Sequence, residues 1–416
     1  MISYPDELNI IFQKLRDFGI KAIIVGGFVR DSLLGIESKD IDIELYGVTS
    51  FTHLEDILKE FGNVNVVGKS FGVCKLKFCG YDLDFSLPRR DNKVDSGHRG
   101  FDIKLYSNLD FKTAASRRDF TINAIGYDVE EKKLLDPFKG ADDLRDKILR
   151  AVDLESFIQD PLRVLRAAQF CARFNLEIEQ DLFLTCREMV FKNMLDELPK
   201  ERVFEEIKKL LLKSQKPSIG FKLLKEFDTV FYTDNLDVAD EIAKQLTVNN
   251  QTDMVLMLAG LCYNFEQKDT EDFITKLSDE KELLDRVVKL TKAYCEIKNM
   301  DADNINDYLL YKLATKVNIE ELLILSSSIY FAKNSLKVYN VGEEIYKRAK
   351  ELNILKKKLP ALLGGKELLK FGLKPSPKFS EILDKAYEAQ IHGDFKNYDE
   401  ALLWLREYIS HKARFV

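Results

Sequence analysis

The sequence predicts an α+β chain, with a small α/β head at the N-terminal end and an extended all-helical remainder. Three observations carry this. Between residues 22 and 85, short apolar runs rich in β-branched residues alternate with turn signals, the pattern of strands. From about residue 141 onward, apolar residues recur at helical spacing almost without interruption. Between them, Asp136-Pro137-Phe138-Lys139-Gly140 is a turn and reads as the end of the head.

The elements follow in order. Leu8, Ile11, Phe12, Leu15 and Phe18 fall on one face of a helix over residues 5–18, with Pro5 near its start and Gly19 after its end. Ala22–Val25 is an apolar strand that runs through Gly26-Gly27 into a short helix from Phe28 to Leu34. In the next strand, Asp40–Tyr46, the residues Asp40, Asp42 and Glu44 alternate with Ile41, Ile43 and Leu45, giving one acidic face and one core face. Residues 51–61 read as a helix. Val64–Val67, Val73–Phe78 and Tyr81–Phe85 read as strands separated by turns. From Pro88 to about Asp110 the chain is charged and lacks periodicity, which predicts a long functional loop. Residues 113–127 predict a helix carrying Arg117, Arg118 and a buried Asn123. A strong helix starts with Asp160 as N-cap and Pro161 at its first position, and another starts at Leu198-Pro199-Lys200. Residues 217–416 alternate amphipathic helices with short polar links.

The bulk numbers narrow the function classes. At 416 residues, with 45% hydrophobic and 32% charged content, the chain has material for several cored domains. No apolar run reaches membrane-spanning length, and the N-terminus lacks the basic-then-apolar signal pattern, so a cytoplasmic protein is expected. Six scattered cysteines without a Cys-x-x-Cys pair read as free thiols, and four isolated histidines argue against a histidine metal centre. A net charge of −6 does not mark a nucleic-acid binder, but a local basic face can coexist with it.

The chemistry gathers around the Gly-Gly turn. A strand passing through two glycines into a helix N-terminus presents backbone N–H groups with no Cβ to obstruct a phosphate. Asp40 and Asp42 lie two apart on a strand and point to the same face, where they can converge on a cation. Tyr81-Asp82-Leu83-Asp84-Phe85 offers a third inward carboxylate, either Asp82 or Asp84. This combination suits two-metal nucleotidyl transfer, with two Mg²⁺ ions held between the carboxylates. Arg30, Lys39 and Arg118 are candidate triphosphate or ribose contacts, although a surface ion pair suits Lys39 equally well. Asp160 and Arg163, at i and i+3, can share one face of a helical turn. Such a pair could read a base edge where an amino group neighbours an acceptor, as in cytosine and adenine. The alternative is that Asp160 only caps the helix and Arg163 pairs on its surface.

Four motifs then occur in order: Val25-Gly26-Gly27-x-Val29-Arg30-Asp31, Asp40-x-Asp42, Arg117-Arg118-Asp119-Phe120-Thr121-x-Asn123-Ala124 and Asp160-Pro161-Leu162-Arg163-x-x-Arg166. Together they resemble the motifs of the bacterial-type (class II) tRNA nucleotidyltransferase and poly(A) polymerase family, within the polymerase-β-like superfamily. The likeness covers about residues 20–210 and extends more weakly through Glu197–Arg202 and Gly364–Pro375.

The resemblance implies a head over 1–140, a neck over 141–212, a body over 213–355 and a tail over 356–416, with the tRNA acceptor stem along the helical part. By that pattern Asp40 and Asp42 are metal ligands, and Asp84 looks like the third carboxylate. Gly26, Gly27 and Arg30 would hold the triphosphate, and Arg118 and Asp119 would contact the sugar. Asp160 and Arg163, with Arg166 in the same motif on the nucleotide side, would select CTP and ATP. The loop 89–110 would match the flexible loop used in changing from C to A addition. The implied reaction is addition of CCA to tRNA 3′ ends from CTP and ATP with Mg²⁺. CC-adding, A-adding and poly(A)-adding enzymes, or a silent RNA-binding relative, are the alternatives. The long loop argues against CC-only addition, and the acidic trio argues against a silent binder. Two departures stand out. Gln159 replaces the glutamate that commonly precedes the aspartate, which bears on that position's helper role. The His-Asp pairs of a metal phosphohydrolase domain are missing, so no such domain or activity is expected.

Overall fold

The computed structural model describes residues 2–67, 73–93, 101–105, 109–231, 233–246, 251–334, 338–373, 375–376 and 378–413. Two compact units divide between residues 232 and 233.

In the first unit, α1 (Asn9–Asp17) buries Ile11, Phe12 and Leu15. Strand β1 (Lys21–Val25) follows, buried from Ala22 to Val25, as its unbroken apolar run requires of a central strand. Next come α2 (Gly27–Leu33), β2 (Asp40–Tyr46), α3 (Phe51–Lys59), β3 (Val64–Val67), β4 (Val73–Phe78) and β5 (Tyr81–Ser86). After β6 (Arg89–Lys93), β7 (Phe101–Leu105) and α4 (Phe111–Ala115), the sheet is completed by β8 (Gly126–Asp128) and β9 (Lys133–Leu135). The seven strands of the main sheet run in the order β3-β4-β5-β2-β1-β8-β9. Among the described pairings of this sheet, only β2 and β5 run parallel, with Asp40 opposite Asp82 and Asp42 opposite Asp84.

Two expectations are corrected. The segment expected as a loop from Pro88 contains an antiparallel hairpin, β6 with β7. Its strands are held by main-chain pairing, which needs no apolar alternation, so the charged sequence gave no sign of it. Residues 94–100 and 106–108 of that expected loop lie outside the described residues. The expected helix over 113–127 is also absent. The helix α4 stops at Ala115, a 3-10 turn covers Thr121–Asn123, and the chain joins the sheet at Gly126. Asp119 explains the break: its carboxylate accepts from the Phe120 N–H (2.8 Å) and from Asn123 Nδ2 (2.9 Å), a local alternative to helical hydrogen bonding.

The unit continues through α5 (Gly140–Asp146), β10 (Ile148–Leu149), α6 (Leu154–Phe157), α7 (Leu162–Phe174), β11 (Glu177–Ile178), α8 (Gln180–Phe191), α9 (Lys200–Lys213) and α10 (Pro217–Glu226). The first regular residue of α7 is Leu162, although Pro161 already has helical dihedrals. Asp160 serves as its cap, since Oδ1 accepts from the Leu162 N–H (3.2 Å) and its carbonyl from the Arg163 N–H (3.0 Å). The apolar face of α7 buries Val164, Leu165, Ala168 and Cys171.

In the second unit the described residues form helices between Leu236 and Ala413. The helix Gln251–Cys262 is buried along Met254–Ala259 on every side, which makes it the centre of that unit. Towards the C-terminus, Leu368, Ile382, Ala386, Phe395 and Leu405 form a further cluster. Among the described residues no helix is long and apolar enough to cross a membrane, and all six cysteines are free thiols.

Candidate active site

Strand β2 sets the first part of the site. Asp40 and Asp42 leave one face of the strand, and the parallel register puts Asp82 and Asp84 beside them on β5. Strand β4 adds the opposing charges. Lys75 pairs with Asp84, and Lys77 with Asp82 at 3.2 Å. The choice left open between Asp82 and Asp84 thus becomes a row: Asp84 is the neighbour of Asp42. Asp84 is thus committed to Lys75, and among the described residues no three His, Cys, Asp or Glu side chains form a metal-holding group.

Two carboxylates on one strand face, Asp40 and Asp42, have the chemistry that a hard divalent cation takes. Asp42 is exposed on its strand face, but desolvation by the protein around it, and then the charges of Asp84 and Asp40, push its carboxyl above its ordinary range against the pull of Arg118 and Lys75. A carboxylate made costly to ionise in this way is one that a bound cation would stabilise.

On the other side of Asp42 lies a cleft of about 530 Å³. It is lined by Gly26, Gly27, Arg30, Asp42, Arg118, Asp119, Asp160, Arg163 and Arg166, which gathers nine of the residues singled out in the sequence. Asp40 and Asp84 instead line the neighbouring face with Lys75 and Lys77, and Asp42 belongs to both. Lys39 lines neither. Arg89, Arg117 and Arg202 also line the cleft, so seven arginines face three aspartates there. Such a surface attracts a polyanion.

The glycine turn has a geometric reason. Gly26 has φ +68° and ψ −126°, a conformation open to glycine, and a Cβ there would lie 2.7 Å from Arg118 Nη1. Gly26→Ala is therefore expected to destabilise the chain by about 1–2 kcal/mol and to push Arg118 from its place. A denaturant midpoint equal to that of the unaltered protein would contradict this. The Gly26 N–H already donates to the Ile125 carbonyl (3.1 Å), so backbone contacts to a phosphate would come from the first turn of α2.

Several predicted ligand contacts are committed inside the protein. Arg30 is 4% exposed. It donates to Asp31 Oδ1 from Nε (2.8 Å) and Nη2 (2.7 Å), and to Asn123 Oδ1 from Nη1 (2.5 Å). Its guanidinium also lies over the rings of Phe174 (4.5 Å) and Phe170 (5.2 Å) on α7. In this arrangement Arg30 ties the glycine turn to α7 from below. Asp119 is similarly engaged, with Oδ2 accepting from Arg166 Nε at 2.7 Å. Burial pushes the Asp119 carboxyl up, but Arg166, the Asn123 hydrogen bond and Arg163 outweigh it and hold the group below the usual carboxylate range. Asn123 is the shared hub, since its carbonyl also accepts from Arg118 Nη1 at 3.1 Å.

The first turn of α7 completes the cleft. Arg163 donates to the carbonyls of Ser156 (2.9 Å) and Arg117 (2.8 Å), which fixes the plane of its guanidinium. Asp160 Oδ2 lies 4.0 Å from Arg202 Nη2 on α9. Sequence reasoning missed Glu44, Lys75, Arg89, Arg202 and Phe170 as parts of the site. For Glu44 a signal existed, because it shares the strand phase of Asp42. For Arg202 the weaker likeness over Glu197–Arg202 was a signal of the segment but not of the side chain's role, which the fold supplies.

Residues 22–150 match the family model of the poly A polymerase head domain. Two further models, described as the probable RNA and SrmB binding site of polymerase A and as the putative tRNA nucleotidyltransferase domain 2, match residues 175–230 and 245–405. Over 411 residues the chain is 29% identical to the CCA-adding enzyme of Lactococcus lactis subsp. cremoris, covering 94% of each. The chain belongs to the tRNA nucleotidyltransferase and poly(A) polymerase family. Its fold is similar to that of Bacillus stearothermophilus CCA-adding enzyme in complex with CTP, with a TM-score of 0.71 at 21% identity, covering 99% of this chain and 100% of that one. It is also similar to Thermotoga maritima CCA-adding enzyme complexed with tRNA, with a TM-score of 0.64 at 22% identity over 98% and 97% of the two chains. Members of the family generally use a divalent metal.

Proposed function

We propose that this protein adds CCA to tRNA 3′ ends from CTP and ATP without a nucleic-acid template, releasing pyrophosphate. The observation that carries this reading is the single cleft that unites the Gly26-Gly27 turn, Arg118, and the first turn of α7 with Asp160 and Arg163, with Asp42 at its edge. The triphosphate lies over the glycine turn among the arginines, and the sugar lies beside Arg118. The base points towards Asp160 and Arg163. There the carboxylate accepts from an exocyclic amino group and the guanidinium donates to the neighbouring ring acceptor. Cytosine and adenine share that order of groups, and uracil and guanine reverse it. Holding Arg163 by two backbone carbonyls supports this role, because an edge is read only by a fixed donor plane.

Asp40 and Asp42 would hold Mg²⁺, which when bound supplies charge neutralisation at the triphosphate and activates the attacking 3′-hydroxyl. The Asp119–Arg166 pair keeps α7 in place against the segment after α4, so that the base-reading turn and the glycine turn share one frame. Residues 1–140 act as the catalytic head and 141–212 as the nucleotide-reading neck. Residues 213–355 and 356–416 contact tRNA through its phosphates and shape. The reaction belongs to the cytoplasm.

The test uses tRNAs ending before the first C, the second C or the A of the 3′ CCA, each offered the four triphosphates. Two CTP additions followed by one ATP addition are expected. Incorporation of UTP or GTP at rates matching CTP would overturn the base-reading assignment, while A addition alone or long A tracts would assign a sister reaction. Arg163→Ala should lower the preference for CTP over UTP by about tenfold or more, with tRNA affinity nearly unchanged. Weakened tRNA binding with nucleotide choice intact would instead make Arg163 a surface-pairing residue.

A further inference from the structure

We propose that Glu44 is a positioning residue for nucleotide binding, which holds Arg118 against the Gly26-Gly27 turn. The inference rests on the functional reading above and adds a residue to it.

Glu44 is 1% exposed, and a buried carboxylate is costly unless it is paired. Its Oε1 accepts from Arg117 Nη2 (3.2 Å) and Arg118 Nη2 (3.3 Å), and its Oε2 from the Tyr46 hydroxyl (3.0 Å). Arg118 is gripped from its other arm as well, by the Asn123 carbonyl. These two anchors place Nη1 against Gly26, where a Cβ would collide with it. The buried Nε of Arg118 makes no hydrogen bond among the described residues. Glu44 and Asp42 stand two apart on one strand, roughly 7 Å along it and on the same face. One rigid strand therefore sets both the candidate metal ligands and the arginine that faces the nucleotide. Simple neutralisation of two arginines is the competing account, and it predicts a loss of stability without selective loss of nucleotide binding.

The two accounts separate in a double-mutant cycle. Equilibrium binding of CTP and the melting temperature are measured on the full chain for the unaltered protein, Glu44→Gln, Arg118→Ala and the double variant. Glutamine keeps the shape of the side chain and avoids the folding loss that Glu44→Ala risks. Glu44→Gln is expected to weaken CTP binding about tenfold, through weaker charge-assisted hydrogen bonds. Arg118→Ala is expected to weaken it at least as much, and the double variant no further than Arg118→Ala. Unchanged CTP affinity in Glu44→Gln overturns the proposal, as does an equal loss with and without Arg118. If Arg118→Ala binds CTP normally while Glu44→Gln does not, Glu44 acts by another route and the proposal falls while the functional reading stands. Failure of the unaltered protein to bind CTP would overturn the functional reading and the proposal with it.

Discussion

Asp42→Ala is expected to abolish nucleotidyl transfer, lowering turnover by roughly a thousandfold or more, while tRNA binding stays intact. The size follows from the chemistry: a metal-assisted phosphoryl step draws several kcal/mol of transition-state stabilisation from its ligand set, and each 1.36 kcal/mol is about tenfold in rate. Asp42 is the strongest choice because it borders both the arginine cleft and the carboxylate face. Its ionisation is also opposed by desolvation from the surrounding protein and then by Asp84 and Asp40. Removing it should leave the fold intact, since β2 is anchored by Ile41, Ile43 and Leu45 on its buried side. Single-turnover transfer to a tRNA lacking its terminal A measures the loss. Turnover within tenfold of the unaltered protein would overturn the proposed role of Asp42 as a metal ligand.

Gly140→Ala is expected to be the most damaging small change to the fold. A Cβ at Gly140 would lie 2.1 Å from the Thr121 carbonyl oxygen and 2.6 Å from its carbon, so backbone rather than a flexible side chain must move. The start of α5 is meanwhile pinned, because Asp136 accepts from the N–H groups of Gly140 (2.7 Å) and Ala141 (2.8 Å). Relief therefore falls on the 3-10 turn Thr121–Asn123, and through Asn123 on Arg30, Asp119 and Arg118. A destabilisation of about 3 kcal/mol follows from overpacking against fixed backbone. For a unit of this size that is a fall in melting temperature of roughly 6–12 °C. Calorimetry of the variant decides it. A midpoint within about 2 °C would show that the turn yields more easily than its contacts imply.

Much of the architecture was legible because it rests on local patterns. The apolar run Ala22–Val25, the alternation Asp40–Tyr46 and the periodic face of α7 became the elements they predict, since burial of one face is what selects a strand or a helix. The hairpin β6–β7 left no such mark, because Arg89–Lys93 pairs through its main chain and its side chains carry no period. Residues 113–127 misled in the opposite way: their composition suits a helix, but one carboxylate, Asp119, captures a backbone N–H and an amide and stops it.

The candidate site divides along the same line. Residue types and spacing alone pointed to the candidate chemistry: paired carboxylates in strand phase, two glycines before a helix, and an acid and a guanidinium on one helical turn. Which of those groups remain available to a ligand was settled only by contacts between distant segments. Arg30 meets Asn123 across 93 positions, and Glu44 meets Arg117 and Arg118 across 73 and 74. Lys75 reaches Asp84 only because β4 and β5 pair in that register. The physical reason is one of range. Periodicity and side-chain chemistry act within a few residues. Burial and charge pairing depend on whichever segment packs over a face, and on β2 that segment leaves Asp42 open to the cleft while it covers Glu44.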